Sequence, residues 1–127
     1  MRAEKILIEH PREESEYYFK EGCYILELLN HESDPESSIA RARVTAGKQT
    51  RWHQLIDTTE RYVILAGEGQ VEVGDIKERV GQGDVVVIPA ETRQRILNTG
   101  TTDLVFLAIC SPRFQVNNYV DLEMPTK

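Results

Sequence analysis

The chain has 127 residues, a length that buries roughly two-thirds of the unfolded surface around one core. Hydrophobic residues at 40% and charged residues at 28% exclude a disordered or a membrane-embedded chain. A formal charge of -6 excludes a nucleic-acid-binding surface, which needs clustered Lys and Arg to displace counterions from phosphates.

In chain order, the apolar and β-branched runs predict eight strands: 5–9 (KILIE), 23–29 (CYILELL), 38–44 (SIARARV), 60–66 (ERYVILA), 70–74 (QVEVG), 84–89 (DVVVIP), 93–98 (RQRILN) and 104–110 (LVFLAIC). Turn chemistry such as NHESDPES, AGKQT, GQGD and NTGTTD separates them. The pattern predicts an all-β barrel or sandwich in one domain spanning 1–127. Residues 1–36 are read as an N-terminal arm and first strands, and 111–127 as a tail. The segment 60–74 reads as a hairpin, with Gly67 and Gly69 supplying positive φ at its turn.

The runs YVIL and VVVI are apolar on both faces, whereas a strand with one buried face alternates. Packing of outer sheet faces in a homodimer covers the second face, so a homodimer is predicted. The N-terminal strand is read as an arm that crosses to a partner subunit. Phe114 and Tyr119 in the tail lie either over the barrel mouth or against the dimer. No apolar run reaches the roughly 18 residues of a membrane span, and residues 1–10 lack the apolar core of a secretory signal. Cytoplasmic localisation without a membrane partner is therefore expected. Cys23 and Cys110 show no metal or disulfide spacing and are read as reduced, buried thiols.

Strand parity singles out one constellation. If the segment around His53 is extended, Gln49, Arg51, His53 and Leu55 point inward together and Trp52 outward. Glu60 and Tyr62 share an inner face, as do Gln94, Ile96 and Asn98. Buried polar groups are costly unless they bind one another, water, an ion or a ligand. An interior holding Gln49, Arg51, His53, Glu60, Tyr62 and Gln94 therefore predicts a pocket, with mutual satisfaction around ordered water as the plainer reading. Arg93 and Arg95 have the opposite parity and belong with solvent, a partner or acidic neighbours.

The spacing also resembles that of the cupins. Their first motif, G-x5-H-x-H-x3,4-E-x6-G, is matched by Gly47, His53, Glu60 and Gly67, with Leu55 in place of the second histidine. Their second, G-x5-P-x-G-x2-H-x3-N, is matched by Gly83, Pro89 and Asn98, with Glu91 for the glycine and Gln94 for the histidine. The resemblance covers 47–98 and implies a cupin jelly-roll barrel. It also implies a divalent transition metal, such as Zn, Fe, Mn or Ni, held by His53, Glu60 and Gln94, and leaves occupancy open because Leu55 is no ligand.

Three functions remain open at this stage. The first is a metal-dependent enzyme acting on a small polar or anionic molecule, with Gln49, Arg51 and Gln94 binding it. The second is a metal-free isomerase or epimerase with His53 as base, Glu60 holding its tautomer, Tyr62 as acid and Arg51 fixing an anionic substrate. The third is a binding or sensor barrel without turnover.

Overall fold

The computed structural model describes residues 6–123. Among these described residues eleven strands run in chain order: β1 Tyr17–Phe19, β2 Cys23–Leu29, β3 Ser38–Val44, β4 His53–Leu55, β5 Thr59–Ala66, β6 Glu68–Val73, β7 Ile76–Gly81, β8 Val85–Ile88, β9 Gln94–Asn98, β10 Leu104–Ser111 and β11 Tyr119–Asp121. They form a six-stranded sheet, β1-β2-β3-β10-β5-β8, and a five-stranded sheet, β11-β4-β9-β6-β7. The two antiparallel sheets enclose the core, the jelly-roll arrangement expected from the sequence.

Seven of the eight expected strands form. The run 5–9 does not: Lys5 lies outside the described residues, and the rest of the run is irregular, with Ile6 and Ile8 exposed. Among the described residues it pairs with no strand, and β1 forms the edge beside β2. β7 is not signalled in the sequence because the charged run Lys77, Glu78 and Arg79 breaks any apolar alternation. It nevertheless pairs along its whole length with β6 after the two-residue turn at Gly74 and Asp75.

The expected hairpin at 60–74 is corrected. β5 lies in one sheet and β6 in the other, so Gly67 turns a corner between sheets instead of closing a ladder. Gly67 has φ 84°, and a Cβ there would stand 2.6 Å from the Asp103 carbonyl oxygen. Gly69 has no positive φ; it is needed because a Cβ would meet the Leu97 carbonyl oxygen at 2.7 Å.

The barrel is packed differently at its two ends. Toward one end Ile64, Val71, Ile88, Ile96, Leu104 and Phe106 fill the space between the sheets, all nearly inaccessible to water. Full burial of each such side chain stabilises the fold by about 1.5–3 kcal/mol. Toward the other end β3 and β10 place Ala40 directly opposite Ala108, and neighbouring Ser38 and Ala42 are also small. These short side chains leave a cavity of about 60 Å³, room for a few water molecules. A second apolar group, Leu55, Cys110 and Tyr119 with Phe19 and Phe114, closes that end.

Candidate active site

The cavity gathers side chains from both sheets. His53 and Leu55 come from β4, Glu60 and Tyr62 from β5, Glu21 from the β1–β2 turn and Tyr119 from β11. His53, Leu55, Glu60, Tyr62 and Gln94 are all buried, so inward parity at these positions holds.

Gln49 and Arg51 do not join them. Thr50 is buried and exchanges hydrogen bonds with Ile96: its backbone N–H donates to the Ile96 carbonyl and its Oγ1 accepts from the Ile96 N–H, both at 2.9 Å. Two inward residues three positions apart, Thr50 and His53, mean that the chain between them is not a regular strand. The parity counted back from His53 fails there. Gln49 is consequently exposed. Arg51 turns outward, where its Nε donates to Asp121 Oδ2 at 3.0 Å. Trp52 also faces out, with the Arg93 and Arg95 guanidinium groups 4.4 and 4.2 Å from its ring centroid. Those arginines pair with Asp75 and Glu72, the acidic neighbours expected for them.

His53 is held by the backbone. Its Nδ1 lies 2.7 Å from the Arg51 carbonyl oxygen, and a carbonyl only accepts, so Nδ1 carries the proton. The Nε2 is left as the basic nitrogen, 3.5 Å from Glu21 Oε1. The Tyr119 ring stacks on the imidazole with centroids 5.2 Å apart and planes 19° from parallel. The Arg51 carbonyl, and not Glu60 as the sequence suggested, therefore sets the tautomer.

Glu60, Tyr62 and Gln94 lie together on the inner face. The Tyr62 hydroxyl donates to Gln94 Oε1, and Gln94 favours the charged form of the Glu60 carboxyl. Glu60 Oε1 has no partner although it is buried. Burial, with the negative charge of Glu21 beside it, raises the Glu60 carboxyl to about 7, against the opposing pull of His53 and Gln94. Tyr62 is raised well above the phenol range, mainly by burial. Its hydroxyl proton is directed to Gln94 Oε1.

Sequence reasoning missed Glu21. It follows a short acidic and aromatic stretch and precedes Gly22, whose φ of 104° marks the tight turn that could have drawn attention. The Arg51 N–H donates to the Glu21 carbonyl oxygen at 2.8 Å, which docks this turn against the segment carrying His53. The tail question is also answered: Phe114 and Tyr119 border the cavity.

The donor set does not fit a divalent transition metal. Leu55 stands at one ligand position, and the Gln94 carbonyl oxygen is occupied by the Tyr62 hydroxyl. Among the described residues no group of three or more His, Cys, Asp or Glu side chains converges to hold an ion.

Known proteins resemble the chain in its fold and in part of its sequence. A family model described as Cupin domain matches residues 40–110. The uncharacterized protein MJ1618 of Methanocaldococcus jannaschii is 34% identical over 100 residues, covering 77% of this chain and 80% of its own length. Among solved structures, KdgF from Halomonas sp. superposes with a TM-score of 0.77 at 18% identity, over 89% of this chain and 99% of that one. Pac13, described as a nucleoside dehydratase, gives 0.75 at 16% identity over 92% of each chain. Identities this low show a shared fold alone.

Proposed function

The chain belongs to the cupin family, and from that premise we propose that its cavity carries out metal-independent acid–base chemistry on a small polar molecule. One observation carries the reading. A histidine with its tautomer fixed presents Nε2 beside the same cavity in which a buried glutamic acid holds its proton near neutral pH. A general acid and a general base work best with protons available at the operating pH.

In this reading the Nε2 lone pair of His53 takes a proton from a substrate C–H. The Glu21 carboxylate then stabilises the imidazolium that forms, as a buried carboxylate does beside a catalytic histidine. Glu60 delivers its proton from Oε1 to a carbonyl or leaving hydroxyl oxygen of the substrate. Isomerisation, epimerisation and dehydration all follow this pattern, and none needs an oxidant. Pac13 is described as a nucleoside dehydratase, a reaction of this class on a similar barrel. The free thiols Cys23 and Cys110 suit a reducing compartment and support a cytoplasmic site of action.

Incubation in D₂O with a panel of nucleosides, hydroxyaldehydes and small sugars tests the proposal, with deuterium incorporation into recovered compounds as the readout. Incorporation by the wild-type protein that falls by about a hundredfold in His53→Gln is expected. Equal incorporation by that variant, or none by the wild type while ligands still raise its melting temperature, would favour the binding-barrel reading.

A further inference from the structure

The charges around the cavity are one-sided. Three glutamates border it, Glu21, Glu27 and Glu60, and no lysine or arginine does among the described residues. The nearby guanidinium groups are committed elsewhere: Arg51 to Asp121, Arg41 to Glu13 and Glu16, and Arg43 to Glu16 and Asp103. An anionic ligand, expected when Arg51 was read as facing inward, would enter a field that repels it.

The carboxylates are layered by depth. Glu27 is exposed at the mouth, Glu21 is about 13% exposed part-way in, and Glu60 lies at the floor with Oε1 unpartnered. The walls between them are aromatic. Phe19 meets Phe114 edge-to-face at 6.4 Å and Tyr119 edge-to-face at 5.1 Å, so rings stand at right angles around the opening. The Tyr119 hydroxyl is a second buried polar atom without a partner, and Tyr119 also borders the cavity. Both residues border the one cavity, so a ligand with a donor and an acceptor could satisfy each of them there.

Aromatic faces at right angles with carboxylates between them are the surroundings in which an ammonium group is held, through the ring quadrupoles and direct ion pairing. Tyr119 is itself already engaged, by Lys20 Nζ 5.0 Å from its ring centroid and by the His53 imidazole stacked on it, so the aromatic surface open to an ammonium group is that of Phe19 and Phe114.

We propose that the cavity selects a small organic cation, an amine carrying a hydroxyl or similar polar group, with its ammonium between Glu21 and the aromatic wall and its polar group at Glu60 Oε1 and the Tyr119 hydroxyl. The assignment deepens the acid–base reading by naming its substrate class, and it rests on that reading for the cavity being the substrate site. For turnover the same molecule needs a carbonyl beside the C–H that faces His53 Nε2, so that the electron pair of the broken C–H bond passes into an enol whose oxygen takes the Glu60 proton; a simple hydroxylated amine tests binding only.

Isothermal titration with ethanolamine, its uncharged counterpart ethylene glycol and the anion glycolate tests the proposal by binding alone. Ethanolamine is expected to bind at least about tenfold more tightly than ethylene glycol, with no heat from glycolate. Glu21→Gln should weaken ethanolamine about tenfold while leaving ethylene glycol unchanged. Glu27→Gln, at an exposed position that cannot unfold the protein, should weaken it two- to threefold. Equal affinity for ethanolamine and ethylene glycol, preference for glycolate, or saturation by zinc with no ethanolamine heat would overturn it. Deuterium exchange on neutral sugars without amine binding would leave the acid–base reading standing and sink the cation assignment. Amine binding without exchange on any compound would do the reverse.

Discussion

His53 and Gln94 face one another across the single register contact between β4 and β9, so the two motif segments meet at one point of the barrel. Leu55, two residues on, is buried to 4% exposure and borders the cavity. An imidazole at position 55 would enter the same space as His53, and one at position 94 would stand opposite it. The combined Leu55→His and Gln94→His variant is therefore expected to bind zinc at least about tenfold more tightly than the wild type, with a melting temperature that rises with zinc. Zinc titration with a chelator control checks it. Without metal the variant should be less stable, because Leu55 packs against Cys110 and Tyr119 and its apolar contacts are lost. No gain in zinc affinity would show that position 55 is not turned toward His53.

The raised Glu60 carboxyl has a consequence for stability. Its ordinary value is 4.5 and its folded value about 7, so the unfolded chain releases this proton first as pH rises. Stability contributed by the neutral carboxyl is fully present below about pH 4.5 and is lost as pH rises to about 7. The loss is on the order of 2–3 kcal/mol. Glu60→Gln removes it, so the variant should gain that much over the wild type between pH 5 and pH 8. Urea unfolding at both pH values measures the difference. The oppositely shifted Glu13, Glu16, Glu72 and Asp121, each held low by a hydrogen bond from Arg41, Arg43, Arg95 or the Glu123 backbone, titrate below that window and do not obscure it.

The barrel and most of its inner face were legible from period-2 alternation and two spaced motifs, because each strand from β5 onward that carries the motifs keeps its parity. Gln49 and Arg51 failed for a local reason. Parity is a property of unbroken strand, and the chain between Thr50 and His53 is irregular. Glu21 was hidden for a different one: its approach to His53 is made by a turn in the N-terminal segment, and no periodicity connects residues 21 and 53. The hairpin at Gly67 misled because a glycine corner between two sheets and a glycine turn within one share the same sequence signal.

The outer face of the six-stranded sheet bears on association. Val85 and Val87 of β8 are 59% and 58% exposed and Leu65 of β5 41%, and they adjoin Val63, Val105 and Leu107, whose parity on β5 and β10 points the same way. Arg61 lies opposite Val87, and Arg41 and Arg43 lie opposite Leu107 and Val105, so the apolar patch is bordered by arginines; exposed patches of this kind mark association surfaces, and a twofold partner supplies a matching one. Light scattering is expected to give twice the chain mass, and Val85→Glu with Val87→Glu to give a single-chain mass with an unchanged circular dichroism spectrum. A single-chain mass for the wild type across micromolar concentrations would refute the dimer.

Glu91 stands where the second motif carries glycine, and it keeps the glycine's backbone. Its φ is 59°, in the left-handed region where a Cβ costs about 1–2 kcal/mol. Two bonds hold it there: its N–H donates to the Leu55 carbonyl oxygen at 2.9 Å, and its Oε2 accepts from the Asp57 N–H at 2.6 Å. Asp57 is itself left-handed, at φ 55°, so the carboxylate ties together two strained turns next to the strand that carries His53. Glu91→Ala loses the carboxylate and keeps the strain, whereas Glu91→Gly loses both. The glycine variant should accordingly be about 1 kcal/mol more stable than the alanine variant, the reverse of the order expected at an ordinary extended or helical position. Chemical denaturation of the pair decides it, and an alanine variant as stable as the glycine one would mean that the turn relaxes out of the left-handed region once the bond to Asp57 is gone.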